Sequence, residues 1–504
     1  MRAPLLAAGA LAWAVLASGA PLAAQPAAAP AAKDKEAAPV PEPNVSSTRH
    51  SGVFGGRRIA YSATAGETYL KAADGTPRAS IFSVAYVKEP RDPSRPVTFL
   101  FNGGPGSGSL WLHMGAFGPK RVAIPSDARD DGGPPYPLLD NPDALLDVTD
   151  LVFIDPVGTG FSHALGKTEP KEYWGVTKDA QSVAEFIRLW LNANGRWNSP
   201  KFLGGESYGT TRTAAVVNEL EGRFNDVSLN GLLLISTILD FGAQASVPGN
   251  EMPFVLFLPS MAAAAHFHGK APGDSGSLEA FVEEARRFAL GDYATALLKG
   301  QKLQGEERAG IRRRLARFTG LSERFLEDAD LRVSDDRFYK ELLRDRGLTI
   351  GRLDARYTGR DFDSAGERPD NDPSFYGIDA GYTAALNAWV RDGLKYRTER
   401  HYSTIGSVGD WDWDLGGGES RYYKNVAPYI GRAMRENSGL RVFVGQGWFD
   451  FATPFLGAEY SLSRTGIPQD RIEYRYYGSG HMMYVRDDDR SALSRDLRDF
   501  IRRR

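Results

Sequence analysis

The amino-acid sequence predicts an α/β fold with a mostly parallel central sheet, helices on both faces and a helical cap insertion. Short apolar runs typical of buried strands alternate with stretches in which apolar residues recur at helical spacing. One long stretch, 277–345, is charged and helical in pattern and contains no such run. Because alternating strands and helices are typical of βαβ units, we expect most of the strands to lie parallel.

The individual elements of the core are predicted from local patterns. Strands are predicted for the short apolar runs Ala79–Lys88, Val97–Phe101, Leu151–Ile154, Lys201–Leu203, Leu232–Ile235, Leu440–Val444 and Ile472–Tyr476. Helical periodicity over 178–192 predicts a helix with Thr177 as its N-cap and Gly195 just past its end. A closing helix is indicated by Leu493, Leu497, Phe500 and Ile501, which share one helical face.

The amino-terminal residues have the features of a targeting segment. Arg2 precedes an almost wholly apolar run, 5–17, and the small residues that follow suit cleavage after Ala20 or Ala24. The run is too short for a stable membrane span. We therefore expect residues 1–24 to be a signal peptide and the mature protein to be exported, periplasmic or extracellular, with no membrane attachment after cleavage.

The rest of the chain is predicted to form a linker, a core in two parts and an insertion. Residues 25–46 are rich in alanine and proline and have no apolar period, which predicts a disordered linker. Residues 47–241 and 426–504 carry the strand signals and are expected to form one α/β core. Residues 242–425 are expected to form a mainly helical cap over the sheet edge, where such an insertion shapes a substrate cleft.

Composition excludes several classes of function. The formal net charge of −2 provides no basic face for nucleic acid or an anionic membrane. The absence of cysteine excludes cysteine catalysis and thiolate metal sites. The acidic runs 410–414 and 487–489 lack the ligand spacing of a calcium loop and are expected to be solvated loops, and His266 and His268 are expected to be structural. No metal or cofactor is expected.

A candidate nucleophile lies in Gly205-Glu206-Ser207-Tyr208-Gly209, between a predicted strand and a predicted helix. Glycines on either side let the backbone make a tight, strained turn that projects the Ser207 hydroxyl from the sheet. This is the pattern of a nucleophile elbow. A serine in an ordinary turn is the alternative when the motif is considered alone.

A serine nucleophile needs a base, and the base needs an orienting carboxylate. His481 follows the last predicted strand, within Gly480-His481-Met482. Asp450 follows the strand at 440–444. The chain order of serine, aspartate and histidine is that of the α/β-hydrolase fold, so Ser207, Asp450 and His481 are predicted to form a catalytic triad.

A glycine-rich turn, Asn102-Gly103-Gly104-Pro105-Gly106-Ser107-Gly108-Ser109, follows the strand Val97–Phe101. Backbone N–H groups in such a turn can stabilise an oxyanion without reorganisation. The turn lacks the lysine and Ser/Thr ending of a phosphate-binding loop. It is therefore expected to supply the oxyanion hole.

Five motifs in order along the chain resemble those of the serine carboxypeptidase family. They are Asn102-Gly103-Gly104-Pro105-Gly106 with Gly118-Pro119, Asp155-Pro156-Val157-Gly158-Thr159-Gly160-Phe161-Ser162, Gly205-Glu206-Ser207-Tyr208, Asp450-Phe451 with Leu456-Gly457, and Gly480-His481-Met482.

The resemblance implies a bacterial, exported member of that family with the triad given above. It implies that the N–H groups of Gly104 and Tyr208 form the oxyanion hole. It also implies that Asn102, Gly103 and Glu206 bind the terminal carboxylate of a peptide substrate.

Two departures from the family pattern bear on specificity. The family usually has tryptophan where this chain has Leu100, and a second glutamate, which pairs with the one preceding the nucleophile, where this chain has Ala116. Two close carboxyls share a proton and can donate to an incoming carboxylate, so Ala116 removes half of that device. Three hypotheses therefore stay open: a carboxypeptidase, an esterase or acyltransferase with the same triad, and a binding protein on a retired hydrolase fold. Side-chain preference and oligomeric state are left open.

Overall fold

A computed structural model describes residues 40–221, 227–415, 423–464 and 466–503. The predicted signal peptide lies outside the described residues, as does most of the predicted linker. The first strand begins at Val45, so the last two residues of the range predicted as linker pair in the sheet instead. No helix among the described residues is long and apolar enough to cross a bilayer.

The strands of the described residues are β1 (Val45–Phe54), β2 (Arg57–Lys71), β3 (Pro77–Glu89), β4 (Val97–Phe101), β5 (Lys120–Val122), β6 (Leu138–Asp140), β7 (Asp150–Ile154), β8 (His163–Ala164), β9 (Lys201–Ser207), β10 (Gly231–Thr237), β11 (Thr349–Ile350), β12 (Thr358–Gly359), β13 (Arg441–Gly447) and β14 (Ile472–Tyr477).

The helices of the described residues are α1 (Val176–Asn194), α2 (Tyr208–Glu221), α3 (Met252–Phe267), α4 (Leu278–Phe288), α5 (Ala294–Lys299), α6 (Gly305–Thr319), α7 (Glu323–Asp328), α8 (Asp335–Glu341), α9 (Pro373–Tyr376), α10 (Asp379–Ala388), α11 (Ala427–Glu436), α12 (Phe455–Leu462) and α13 (Asp487–Arg502).

One large mixed sheet organises the core, in the order β1-β2-β3-β7-β4-β9-β10-β13-β14, with β8 paired to β3. The first four strands in this order pair antiparallel, and all strands from β7 to β14 pair parallel. The carboxyl ends of β4, β9, β13 and β14 therefore point the same way, which brings the loops that follow them to one edge. This topology confirms the predicted α/β-hydrolase fold.

Both faces of the sheet are buried under helices. Leu232 and Leu234 of β10 pack into a core that includes α1, α2 and α11, whereas Leu233 and Ile235 pack on the opposite side with α13. This alternation explains why the central strands appear in the sequence as continuous apolar runs. A third apolar cluster joins helices α3 to α8 to Phe449 and Phe451, on either side of Asp450.

The structure corrects several local predictions. Helix α1 begins at Val176 with Gly175 as its N-cap instead of Thr177, while Gly195 ends it in the left-handed conformation, as predicted. The long strands β1 and β2 were not predicted, because their sequences are polar and rich in small residues. The acidic run 487–489 is the first turn of α13 instead of a solvated loop, where carboxylates interact favourably with the helix dipole.

Candidate active site

A cavity of about 320 Å³ lies at the carboxyl ends of the parallel strands. Ser207 and His481 both line it, as do Asn102, Gly103 and Glu206. Its remaining walls combine polar and charged residues with apolar ones. The polar and charged residues are Ser107, Arg352 and Asp372, and the apolar ones include Trp111, Leu353, Phe375, Ile405, Ala452 and Met482. The structure therefore brings together residues that are up to 379 positions apart in the predicted set, from Asn102 to His481.

The predicted nucleophile sits at a strand-to-helix turn. Ser207 is the last residue of β9, and α2 begins at Tyr208. The φ angle of Ser207 is +61°, a left-handed conformation that a non-glycine residue seldom adopts without compensation. A Cβ on Gly205 would lie 2.1 Å from the carbonyl oxygen of Gly209, so glycine is required for the turn to close. The strained elbow geometry is therefore present.

The predicted base and its orienting carboxylate form a buried pair. Nδ1 of His481 lies 2.8 Å from Oδ2 of Asp450. Asp450 is fully buried, and it also accepts hydrogen bonds from the backbone N–H and the hydroxyl of Thr453, at 2.9 and 2.6 Å. Because Nδ1 is engaged by the carboxylate, Nε2 is the nitrogen of His481 that remains for proton transfer.

Charge around His481 sets its proton affinity. Burial works to lower the pKa of His481, but the charge and hydrogen bond of Asp450, assisted by Glu206, outweigh burial and raise the pKa above its usual value. The nearby Arg352 works in the opposite direction. The raised pKa means that these surroundings stabilise the imidazolium, the form that His481 would take after accepting a proton from a serine.

The glycine-rich turn packs directly against the elbow. A Cβ on Gly103 would lie 2.5 Å from the backbone nitrogen of Tyr208, so only glycine permits this approach. Gly104 lines the cavity beside Ser207, and Tyr208 follows Ser207 at the amino end of α2. This arrangement fits the predicted oxyanion hole, and the roles of the two N–H groups stay predictions.

The Asp155 motif holds the glycine-rich turn in place. Oδ1 of Asp155 accepts hydrogen bonds from the backbone N–H of Ser109 at 2.8 Å and the hydroxyl of Tyr402 at 3.0 Å. Burial raises the pKa of Asp155 to about 6. The motif thus acts on the site through the backbone of the turn and does not line the cavity.

Glu206 and Asn102 form a second buried pair. Nδ2 of Asn102 donates to Oε1 of Glu206 at 2.8 Å, and Oδ1 of Asn102 accepts from the backbone N–H of Leu112 at 3.0 Å. Burial, as the largest cause, raises the pKa of Glu206 to about 7. Glu206 is therefore mostly neutral below pH 7 and mostly ionised above it.

Tyr484 is a neighbour of Glu206 that sequence reasoning missed. Within the described residues, neither Oε2 of Glu206 nor the Tyr484 hydroxyl has a partner that meets hydrogen-bond geometry, although Tyr484 is close enough to lower the pKa of Glu206. The Tyr484 ring also lies against Gly115, because a Cβ there would fall 2.6 Å from it. Gly115 precedes Ala116, so tyrosine occupies space near the position of the family's second glutamate.

A segment of the insertion supports both catalytic loops, which the sequence did not indicate. The carbonyl of Leu353 accepts from the His481 N–H at 2.6 Å, and the carbonyl of Arg352 accepts from the Phe451 N–H at 3.1 Å. The Asp354 carboxylate accepts from the Gly480 N–H at 3.1 Å. Residues 352–354 therefore hold the loops that carry Asp450 and His481.

Two further supports come from charged side chains outside the predicted set. Asp489, in the acidic run expected to be solvated, is buried and accepts from the Ser479 hydroxyl at 2.6 Å. Arg212 of α2 is fully buried, forms an ion pair with Asp179 at 2.6 Å and donates to the carbonyl of Asn102. Because charged residues are usually exposed, the sequence gave no indication that Asp489 and Arg212 are buried and make these contacts.

The serine carboxypeptidase family model matches residues 66–253. Serine carboxypeptidase-like 13 of Arabidopsis thaliana is 26% identical to this chain over 158 residues, which cover 31% of this chain. The match spans about a third of the relative's own length, 35%. The matched range of the family model includes the glycine-rich turn and the elbow at Ser207, whereas Asp450 and His481 lie beyond it.

Solved structures similar to this chain include two epoxide hydrolases. The enzyme from Aspergillus niger is 11% identical with a TM-score of 0.34, and the match covers 87% of this chain and 78% of that one. The juvenile hormone epoxide hydrolase of Bombyx mori is 12% identical with a TM-score of 0.35, covering 88% and 78%. At these scores the likeness adds nothing to the strand order, on which the fold assignment rests.

Proposed function

We propose that this chain, as a member of the serine carboxypeptidase family, removes C-terminal residues from peptides through an acyl-enzyme on Ser207. The observation that carries the proposal is the His481–Asp450 pair, 2.8 Å apart, in a cavity that Ser207 lines from a strained elbow. Nucleophile, base and orienter thus meet in one site in the order that the fold requires.

The reaction follows from the roles of these groups. Nε2 of His481 accepts the Ser207 proton as Oγ attacks the carbonyl carbon, and Asp450 holds the imidazole through Nδ1. The N–H groups of Gly104 and Tyr208 stabilise the oxyanion. The imidazolium then protonates the leaving amine, the C–N bond breaks, and water repeats the sequence to release the acyl group and restore Ser207.

A second candidate is an esterase or acyltransferase that uses the same acyl-enzyme with another leaving group or acceptor. The observation that favours it is the single carboxyl at Glu206: Ala116 is buried where the family has the second one. Without a shared proton, recognition of a free carboxylate by this pair is weaker. The two candidates differ in what the cavity recognises and share the same chemistry.

Covalent labelling tests the nucleophile. We expect a fluorophosphonate probe to react at Ser207, because an activated serine beside an oxyanion hole attacks such a phosphonate, and we expect Ser207→Ala to abolish labelling. The measurement is mass spectrometry of the labelled peptide. Labelling at any other serine would falsify the assignment. Ser62→Ala is the matched control, because Ser62 is a buried serine of β2 whose hydroxyl donates to the Val87 carbonyl, in the antiparallel part of the sheet.

Location of the protein outside the cytoplasm is part of the proposal and is supported by the leader-like sequence 1–24 alone. A peptide substrate is also part of the proposal, and it is supported by the family match and by the residues that line the cavity.

A further inference from the structure

A cation from the insertion lines the cavity that holds Ser207 and His481. Arg352 is the first residue of the segment 352–354, which is bonded to the loops that carry Asp450 and His481, and it is exposed to solvent. Within the described part of the chain its guanidinium has no hydrogen bond or ion pair. Its charge is nevertheless close enough to His481 to oppose the rise in the pKa of that residue. Arg352 is therefore a cation with unused donors at the site.

The backbone of Arg352 is fixed from two sides. Its N–H donates to Oδ1 of Asp372 at 3.0 Å, and its carbonyl accepts from the N–H of Phe451 at 3.1 Å. Phe451 is the residue after Asp450, so Arg352 is tied to the loop that carries the triad carboxylate. A side chain on a held backbone loses less freedom when it binds a ligand than one on a mobile loop.

Neighbouring carboxylates leave the Arg352 guanidinium without an ion-pair partner. Asp372 accepts hydrogen bonds from three backbone N–H groups, those of Arg352, Leu353 and Ser374, and from the Ser374 hydroxyl. Asp335, whose pKa Arg352 also affects, accepts from the Tyr339 hydroxyl at 2.9 Å. Asp372 lines the same cavity as Arg352, but its oxygens accept from backbone N–H groups and the Ser374 hydroxyl, and neither Asp372 nor Asp335 forms an ion pair with the guanidinium. The guanidinium therefore keeps its donors for an incoming anion.

The pair implied by the family resemblance is poorly suited to bind an anion here. Both polar atoms of the Asn102 side chain are engaged inside the protein, and Asn102 is 1% exposed. Glu206, with a pKa raised to about 7, becomes an anion in the upper part of the working pH range and then repels a carboxylate. An arginine stays protonated throughout that range and presents a planar fork of donors that fits a carboxylate.

We propose that Arg352 binds the free C-terminal carboxylate of the substrate and is the specificity-determining residue for C-terminal peptides. The inference deepens the proposed function and rests on it for the identity of the substrate. The lack of a second carboxyl beside Glu206 does not then prevent binding of the substrate carboxylate, because a permanently charged arginine binds it in place of a proton shared by two carboxyls.

The test compares an N-blocked dipeptide acid with its amide at pH 7.5, for the unmodified enzyme, Arg352→Gln, Arg352→Lys and Arg324→Gln. Arg324 is a matched control, because it is an exposed arginine on α7 that pairs with Asp328. We expect Arg352→Gln to raise KM for the acid about tenfold, the lower end for a charge-assisted hydrogen bond because the site is solvated. KM for the amide should stay unchanged. Because the charge of Arg352 also acts on the pKa of His481, we expect any change in kcat to be the same for acid and amide.

The lysine variant separates charge from geometry. Arg352→Lys keeps the charge without the fork, so we expect a KM for the acid between those of the other two forms. Added salt should raise KM for the acid in the unmodified enzyme more than in Arg352→Gln, because the attraction is partly screened. An unchanged ratio of kcat/KM values for acid and amide in Arg352→Gln overturns the inference.

A product-inhibition measurement keeps the inference distinct from the proposed function. Hydrolysis of a simple ester is followed with a free amino acid, or its amide, as inhibitor. We expect the free amino acid to inhibit the unmodified enzyme more strongly than Arg352→Gln, and the amide to inhibit both equally. Ester hydrolysis without cleavage of either dipeptide contradicts the proposed function. Equal inhibition by the free amino acid in both forms contradicts the role of Arg352.

Discussion

Two buried carboxylates at the site, those of Asp450 and Glu206, are held in different ways. Glu206 lines the cavity, whereas Asp450 is bonded to His481, which lines it. Asp450 has both oxygens engaged, by His481 and by the N–H and hydroxyl of Thr453. Glu206 has one oxygen bonded to Asn102, while its Oε2 has no partner among the described residues. The Asp450 carboxylate is therefore held through both oxygens, whereas the Glu206 carboxyl has one oxygen that can still accept a hydrogen bond.

This difference separates a carboxylate that must stay fixed from one whose charge can change. A catalytic orienter must not move, and the contacts of Asp450 fix both its position and the tautomer of His481. Glu206 is not held in this way: its unpartnered buried oxygen is costly unless a ligand or solvent satisfies it, and its raised pKa lets it change charge near neutral pH. The two carboxylates should accordingly respond to amide substitution in different ways.

The largest effect is expected for Asp450→Asn. The amide can donate a hydrogen bond and favours the wrong tautomer of His481, so we expect kcat to fall about 10⁴-fold for acid, amide and ester substrates alike. The measurement is kcat at several pH values, with the fold checked by circular dichroism. Asp496→Asn is the control. That carboxylate also accepts a part-buried hydrogen bond, from the Tyr477 hydroxyl, but it lies on α13 and does not contact His481. Near-normal turnover in Asp450→Asn would refute the triad.

A smaller and substrate-dependent effect is expected for Glu206→Gln. In the unmodified enzyme Glu206 ionises with a pKa of about 7, so the preference for the free acid over the amide should fall between pH 6 and 8. Glutamine carries no charge at any pH, so the variant should lose this fall and cleave the acid about three- to tenfold better at pH 8. The ratio of kcat/KM values for acid and amide measures it. A fall that persists in the variant shows that another group titrates.

The same substitution should change the pH dependence of stability. Because the pKa of Glu206 is higher in the folded protein than its usual 4.5, the folded state holds this proton more tightly, and stability is lost as pH rises from about 4.5 to 7. The shift corresponds to about 3 kcal/mol at pH 8, which Glu206→Gln should remove. Urea unfolding at pH 5 and 8 measures it. Glu221→Gln, at a half-buried glutamate of α2 whose pKa burial also raises, is the control away from the cavity.

The smallest effect is expected for Tyr484→Phe. Since the Tyr484 hydroxyl lowers the pKa of Glu206, its removal should raise that pKa and move the fall in acid preference to higher pH. At pH 7.5 we expect about a twofold gain in kcat/KM for the acid, with little change for the amide. Tyr293→Phe, which removes a hydroxyl bonded to Leu331 in the insertion, should leave the pH profile unchanged. A downward shift in Tyr484→Phe would contradict this placement of Tyr484.

The strands that could be predicted share one property, which is that their apolar sequences match their buried positions in the sheet. Strand β4 matches its predicted bounds, and β7, β9, β10, β13 and β14 begin within one residue of theirs. All of these strands except β14 are buried on both faces, so their apolar runs are visible without knowledge of their neighbours. Strand β14 lies at the edge of the sheet and is only partly buried. Strands β1 and β2 carry polar and small residues at the antiparallel edge, where a periodic apolar signal is weak.

The sequence by itself determined the class of fold, the motif at Ser207 and the order of the candidate triad, because each can be inferred from short local patterns and their order along the chain. Only the tertiary structure decided what surrounds those residues. Tyr484 beside Glu206, the Leu353 carbonyl on His481 and Arg352 in the cavity all join segments far apart in sequence. Such contacts depend on how the insertion and the last helix pack, and packing leaves no short-range pattern in a sequence.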